Sequence, residues 1–174
     1  LLALGRMTAW KGYTTMLAAL ELATEQGLDA MLEIRGPALT AAEHDHLAEL
    51  RRIVSGSAAL RSRVALEPPV SRDAIPALLA GTDVLLSATQ PEGSETLDKV
   101  VYEASAAGVP VLSSNVALDE FLADLPLGLR FARRDPADLA RALLEVAAAG
   151  PEVRAEVGEE LRQRVLSGHS VESW

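Results

Sequence analysis

The chain contains no cysteine, so disulfides and thiolate metal sites are excluded. It contains no apolar run close to the ~20 residues that span a bilayer. It has no excess of positive charge: the net charge is −9, which argues against a nucleic-acid surface, because phosphate backbones are bound by clustered Lys and Arg. A small anionic ligand is not excluded by that charge, since two local cations and a helix N-terminus suffice to hold one. Repeats and low-complexity segments are also absent, and the alanine-rich stretches AAAG and ASAAG reflect helix propensity. Nothing resembles a serine or cysteine triad. What remains is a chain of 174 residues, 49% hydrophobic and 24% charged, which suits one globular domain with a sizeable core. The opening LLALG already reads as a strand, so residues 1–174 are expected to be one domain of a larger protein.

Short apolar runs alternate with longer amphipathic ones. The expected strands are Leu1–Leu4, Ala30–Ile34, Arg63–Leu66, Val84–Ser87, Val109–Leu112 and Leu127–Phe131. The expected helices are Gly12–Glu25, Ala41–Val54, Arg72–Leu79, Leu97–Ala107, Pro136–Ala149 and Glu152–Leu166. This alternation predicts a doubly wound α/β fold, a parallel sheet covered by helices on both faces in three layers. Several boundaries carry their own chemistry. Thr40 with Glu43 reads as a capping box. Asp135 before Pro136 supplies a cap acceptor and a proline for the first turn. Gly150–Pro151 ends one helix and begins the next.

In open sheets of this kind, ligands bind beyond the carboxyl ends of the strands. The loops that matter therefore contain Gly5–Arg6, Gly36–Pro37, Ala88–Glu95 and Ser113–Asn115. In the first, GRMTAWKG, Gly5 allows a sharp turn, and Arg6 and Lys11 offer a planar fork and a point charge to a diphosphate. Glu95 and Glu103 stand eight positions apart in ETLDKVVYE, just over two turns at about 3.6 residues per turn, so a helix would set both on roughly one face. The first would stand near a helix mouth that favours phosphates, and the second could accept hydrogen bonds from ribose hydroxyls. His44 and His46, two apart on a helix, make a poor metal pair and read as surface residues. His169 earns no role. Trp10 is expected to pack under the first loop.

The opening GRMTAWKG, the strand TDVLLS, the segment SETLDKVVYEASAAGVPVL and the closing SVESW together resemble the retaining glycosyltransferases of the GT-B fold, family 4, along nearly the whole chain. The most specific part is the glutamate pair followed by Glu-Ala…Ala-Gly-Val-Pro-Val. The resemblance implies two Rossmann-like domains facing a cleft, with this chain as the C-terminal, donor-binding one. It implies that Arg6 and Lys11 hold the donor diphosphate and offset charge on the leaving group. Glu95 would contact the donor sugar, Glu103 the ribose, and the Thr96 and Leu97 backbone N–H groups the phosphates, next to Gly5. It further implies no metal and no cofactor, a nucleotide-sugar as donor substrate, and an acceptor bound by the other domain. Trp174 resembles the segment that docks on that domain. A cytoplasmic location is implied, with peripheral association at the inner membrane face, and the chain on its own is expected to be inactive.

Two departures stand out. Many members of the family have Gly-Phe-Gly after the first glutamate, where this chain has Thr96, Leu97 and Asp98. Asp98 brings a negative charge towards the phosphates unless it turns away or meets Lys99. The acidic loop is also longer, which leaves Glu92 as a rival to Glu95. The alternatives are a related enzyme of the same architecture, a phosphorylase or a nucleotide-sugar epimerase, or a non-catalytic nucleotide-binding domain. Nucleotide base, sugar and acceptor are left open, with base contacts expected near Gly36–Pro37 and after Leu66.

Overall fold

Five short strands form the sheet. They are β1 (Leu2–Leu4), β2 (Leu32–Arg35), β3 (Val64–Glu67), β4 (Leu85–Ser87) and β5 (Val111–Ser113). All pair in parallel, in the order β3-β2-β1-β4-β5. At the centre and one edge, β1, β4 and β5 are almost wholly apolar or buried, as strands covered on both sides must be, while β2 (LEIR) alternates apolar and charged residues. This computed structural model describes residues 1–90 and 98–168. Glu92, Glu95, Thr96, Leu97 and Trp174, with the roles expected of them, and His169, of which none is expected, lie outside the described residues.

The helices are α1 (Tyr13–Glu25), α2 (Ala41–Gly56), α3 (Ala58–Arg61), α4 (Ile75–Ala80), α5 (Lys99–Ala106), α6 (Pro136–Ala148) and α7 (Gly150–Gly168). Right-handed crossovers place α1, α2 and α3 on one face and α4 and α5 on the other. Helix α6 packs on α1, and α7 packs on α5, which completes three layers. The stripes that drive this packing have helical spacing: Tyr13, Met16, Leu17, Leu20 and Ala23 on α1, and Leu139, Leu143 and Val146 on α6 are all buried. Each such leucine contributes about 1.5–3 kcal/mol by leaving water. Among the described residues, no helix is long and apolar enough to cross a membrane.

The caps follow their chemistry. Asp135 Oδ1 accepts from the N–H groups of Ala137 and Asp138, both at 3.0 Å. The capping box at Thr40 is only half formed. Thr40 Oγ1 accepts from Glu43 N–H at 3.3 Å, but the Glu43 carboxylate turns to Leu39 N–H at 2.6 Å. The extra helix α3 opens on Ser57, whose hydroxyl accepts from Leu60 N–H at 3.3 Å.

Three expectations are corrected. Leu127–Phe131 is not a sixth strand: a single parallel bridge joins Arg130 to Ser113. Pro126 and Gly128 interrupt extension before it, and Arg134, at φ 56°, turns the chain after it. The segment from Arg72 opens as a 3-10 turn, Arg72–Ala74, before α4 begins. His46 is not a surface residue. It is buried on the same face of α2 as Glu43 and Leu50, with Nδ1 3.2 Å from Glu49 Oε2.

Candidate functional site

In this strand order the chain reverses direction between β1 and β4, and the crevice at such a switch point is where open α/β sheets take ligands. β1 and β4 are in register at Leu2 and Leu85 alone, so the two strands part towards their carboxyl ends. The loops that follow them meet there: Gln90 N–H donates to Trp10 C=O at 2.7 Å. Gln90 is also held by its side chain, which accepts from Arg134 Nε at 2.5 Å.

The first loop is pinned from several sides. Gly5 N–H donates to Arg35 C=O and Met7 N–H to Pro37 C=O, each at 3.0 Å, which ties the loop to β2 and to the chain after it. The buried Tyr13 hydroxyl donates to the carbonyls of Gly5 at 2.9 Å and Arg6 at 3.3 Å. Burial, reinforced by the negative charge of Asp98, pushes the Tyr13 phenol well above its usual range, so it stays a donor. Gly5 has φ 153°, which side-chain-bearing residues rarely adopt, and a Cβ there would stand 2.9 Å from Lys11 Cε.

The two candidate cations of this loop point to different partners. Arg6 forms an ion pair with Glu43 of α2, on the β2 side of the crevice. Its guanidinium is half exposed while Glu43 is buried. The Leu39 N–H, working against burial and joined by the Arg6 guanidinium, holds the Glu43 carboxyl below the usual carboxylate range. Lys11 turns instead towards β4. Its Nζ lies 3.2 Å from Asp98 Oδ1, 3.4 Å from Thr89 Oγ1, and 5.0 Å from the centre of the Trp10 ring. Trp10 itself is 41% exposed, so it does not pack beneath the loop as expected; its ring stands beside the Lys11 ammonium.

Asp98 therefore meets a lysine, one of the two expected escapes, but that lysine is Lys11 and not Lys99. Its Oδ2 accepts from Ser87 Oγ at 2.6 Å and Thr89 Oγ1 at 2.7 Å. Both carboxylate oxygens are thus occupied and the residue is only 8% exposed. Asp98 also stands at the N-cap of α5, with no hydrogen bond from its side chain to the helix. Lys99 is exposed.

Glu103 is exposed on α5, and its carboxylate takes no hydrogen bond from another described residue. Together with Arg72 and Ile75 it borders a hollow of about 390 Å³ between α4 and α5. A second hollow, about 380 Å³, lies beyond β2 and β3, between Gly36–Pro37, His44, Arg51 and Leu66–Pro69. A third, about 270 Å³, opens at the amino-terminal ends of the strands beside Met31, Asp83 and Arg154, and gathers none of the candidate residues. The loop after β5 is folded back on itself. Asn115 Oδ1 accepts from Ala117 N–H at 3.1 Å, and Arg133 Nε donates to Ser114 C=O at 3.3 Å.

Glu43, Ser87, Thr89, Tyr13 and Arg134 were not singled out as site residues by sequence reasoning. The polar alternation Ser87, Thr89 at the end of an apolar strand was a readable signal, because side chains two apart leave a strand on one face. Nothing in the sequence pairs Glu43 with Arg6.

Solved structures share this fold. A glycosyltransferase from Rickettsia africae superposes with a TM-score of 0.81 at 19% identity, over 99% of this chain and 44% of that one. HepE from Anabaena, solved in complex with UDP and glucose, gives 0.78 at 21% identity, over 95% of this chain and 43% of that one. The C-terminal domain of the glycosyl transferase group 1 family protein LpcC from Francisella tularensis gives 0.78 at 18% identity, over 98% of this chain and 86% of that one. The chain thus spans less than half the length of the first two. Among curated proteins none matches the sequence significantly. The model of the family "Glycosyl transferases group 1" matches residues 1–149, and the chain belongs to that family.

Proposed function

We propose that this chain is the C-terminal, donor-binding domain of a retaining GT-B glycosyltransferase of family 4, and that its crevice holds the diphosphate of a nucleotide-sugar. Membership of the glycosyl transferases group 1 family supports the reaction class. The observation that carries the site is the meeting of the first and fourth loops at the β1/β4 switch point, with Lys11 in the seam and Glu103 farther along α5. The LpcC structure, a C-terminal domain covered over most of its length, supports the assignment of the half.

In this reading Arg6 and Lys11 meet the diphosphate, helped by the Thr96 and Leu97 backbone N–H groups. Their donors stabilise the charge that grows on the leaving nucleoside diphosphate as the sugar bond breaks, an electrostatic contribution of the oxyanion-hole type. Glu95 orients the sugar through its hydroxyls, with Glu92 as its rival, and Glu103 accepts from the ribose. No metal takes part. The acceptor binds to a further domain outside this chain, so the chain alone turns nothing over. The whole protein works in the cytoplasm, with peripheral contact at the inner membrane face. HepE was solved with UDP, which makes UDP the first nucleotide to try.

The test is calorimetric titration with UDP, GDP and ADP, repeated on Glu103→Ala and Lys11→Ala. One diphosphate should bind, and each substitution should weaken it by about tenfold, the scale of one charge-assisted hydrogen bond. Silence with all three, in this chain and in the longer protein, sinks the reading.

A further inference from the structure

Lys11 and Asp98 are 87 positions apart in sequence and form one buried cluster with Ser87 and Thr89. The Lys11 side chain is 14% exposed and that of Asp98 is 7% exposed. A carboxylate taken this far from water persists as an ion only when paired and fully hydrogen-bonded. Here every requirement is met, with Oδ1 facing the ammonium and Oδ2 facing two hydroxyls. Two of the three Lys11 N–H donors are spoken for, by Asp98 and Thr89; among the described residues the third meets no acceptor oxygen and has only the Trp10 ring, 5.0 Å away, beside it.

We infer that Asp98 is a positioning residue, which fixes the Lys11 amine at the crevice so that its remaining donor meets a phosphate-bearing ligand. This rests on the reading of Lys11 as a diphosphate contact. A free lysine is a point charge on a flexible four-carbon stem. Anchored by Asp98 and Thr89, it becomes a donor at one place, and the pair carries no net charge. The crevice then selects an anion by geometry more than by field strength. The aspartate that departs from the family's glycine is therefore part of the site, not an obstacle in it.

Lys11 and Lys99 are the two lysines of the chain, and Lys99 is exposed. Labelling with an amine-reactive reagent, read by peptide mass spectrometry, therefore reports Lys11 against an internal standard. Lys11 should label more slowly than Lys99 in the native chain. In Asp98→Asn the Lys11/Lys99 ratio should rise by about tenfold, the scale of one lost charge-assisted hydrogen bond. Affinity for inorganic pyrophosphate, the base-independent probe, should fall by a similar factor. Thr89→Val, which keeps the shape and removes the shared hydroxyl, should move both readouts the same way by less, and it decides the matter if Asp98→Asn does not fold.

A folded variant with an unchanged labelling ratio overturns the proposal, since Asp98 would then only fill space. Tighter pyrophosphate binding by Asp98→Asn also overturns it, because the aspartate would then be competing with the anion for Lys11. Uptake of pyrophosphate but of no nucleoside diphosphate would sink the donor reading and leave this one standing. Binding of neither, in this chain and in the longer protein, overturns both.

Discussion

Glu43 is the buried partner of Arg6, and it joins the loop after β1 to the first turn of α2. The carboxylate accepts from Leu39 N–H and from the guanidinium, and both favour its charged form. Its proton affinity in the folded chain is therefore lower than in the unfolded chain. By linkage, the stabilisation is fully present above the unfolded carboxylate range, near about pH 4.3. It is lost as pH falls below that range towards the lowered folded value. Glu43→Gln keeps an acceptor for Leu39 and removes the titrating charge. Urea midpoints taken from pH 7 down to pH 3 should fall less steeply for the variant than for the native chain. The variant should not become wholly flat, because Asp138 is held low in the same way by Ala132 N–H and Arg141. Parallel curves for the two proteins would mean that Glu43 gains nothing from these partners.

Asp135 closes the N-terminus of α6, the helix that covers α1 behind the first loop. Its Oδ1 satisfies two backbone donors that the helix leaves open. Asp135→Ala should cost about 1 kcal/mol. For a domain of this size that lowers the melting temperature by about 2–4 °C. Asp135→Ser should recover most of the loss. A drop in Asp135→Ser as large as that in the alanine variant would show that the carboxylate acts there through its charge and not as a cap.

The layers and most element positions were legible because each rests on local pattern. Apolar runs of strand length, the 3.6-residue stripes of α1 and α6, and the caps at Thr40 and Asp135 are written within a few residues of one another. The sixth strand was misread because Leu127–Phe131 has the apolar content of a strand, while its pairing depends on register with β5, which composition does not encode. His46 was misread for a related reason: which face of α2 turns inward is set by Leu50 and by the Arg6–Glu43 pair, not by the polar neighbours of the histidine in sequence. At the site, the choice of Arg6, Lys11 and Glu103 came from short motifs. Their partners did not, since Glu43 and Asp98 reach them across 37 and 87 positions. Asp98 reads as a liability while its neighbour in sequence, Lys99, is the one cation in view; the fold supplies Lys11, Ser87 and Thr89 instead.

The closest approach in the site is made without side chains. A Cβ on Gly36 would stand 1.7 Å from Gly5 C=O, so the two loops pass each other with room for a hydrogen atom only. Gly5 N–H is meanwhile bonded to Arg35 C=O, so neither loop can move back without breaking a ladder bond. Gly36→Ala should therefore destabilise the chain by about 1–3 kcal/mol, the ordinary range for overpacking, with strain concentrated on β1 and β2. The displacement has a direction. Pushing the Gly5 carbonyl loosens the hydrogen bond it takes from Tyr13, and Tyr13 is what holds the loop carrying Arg6 and Lys11. Amide exchange at Gly5 and Met7 should quicken more than at the α6 core, and Lys11 should label faster relative to Lys99. By contrast Gly56→Ala, at the end of α2 where a Cβ would meet nothing within 4 Å, should leave Lys11 labelling unchanged. If the two glycine variants matched in Lys11 labelling, the first loop would not depend on this contact.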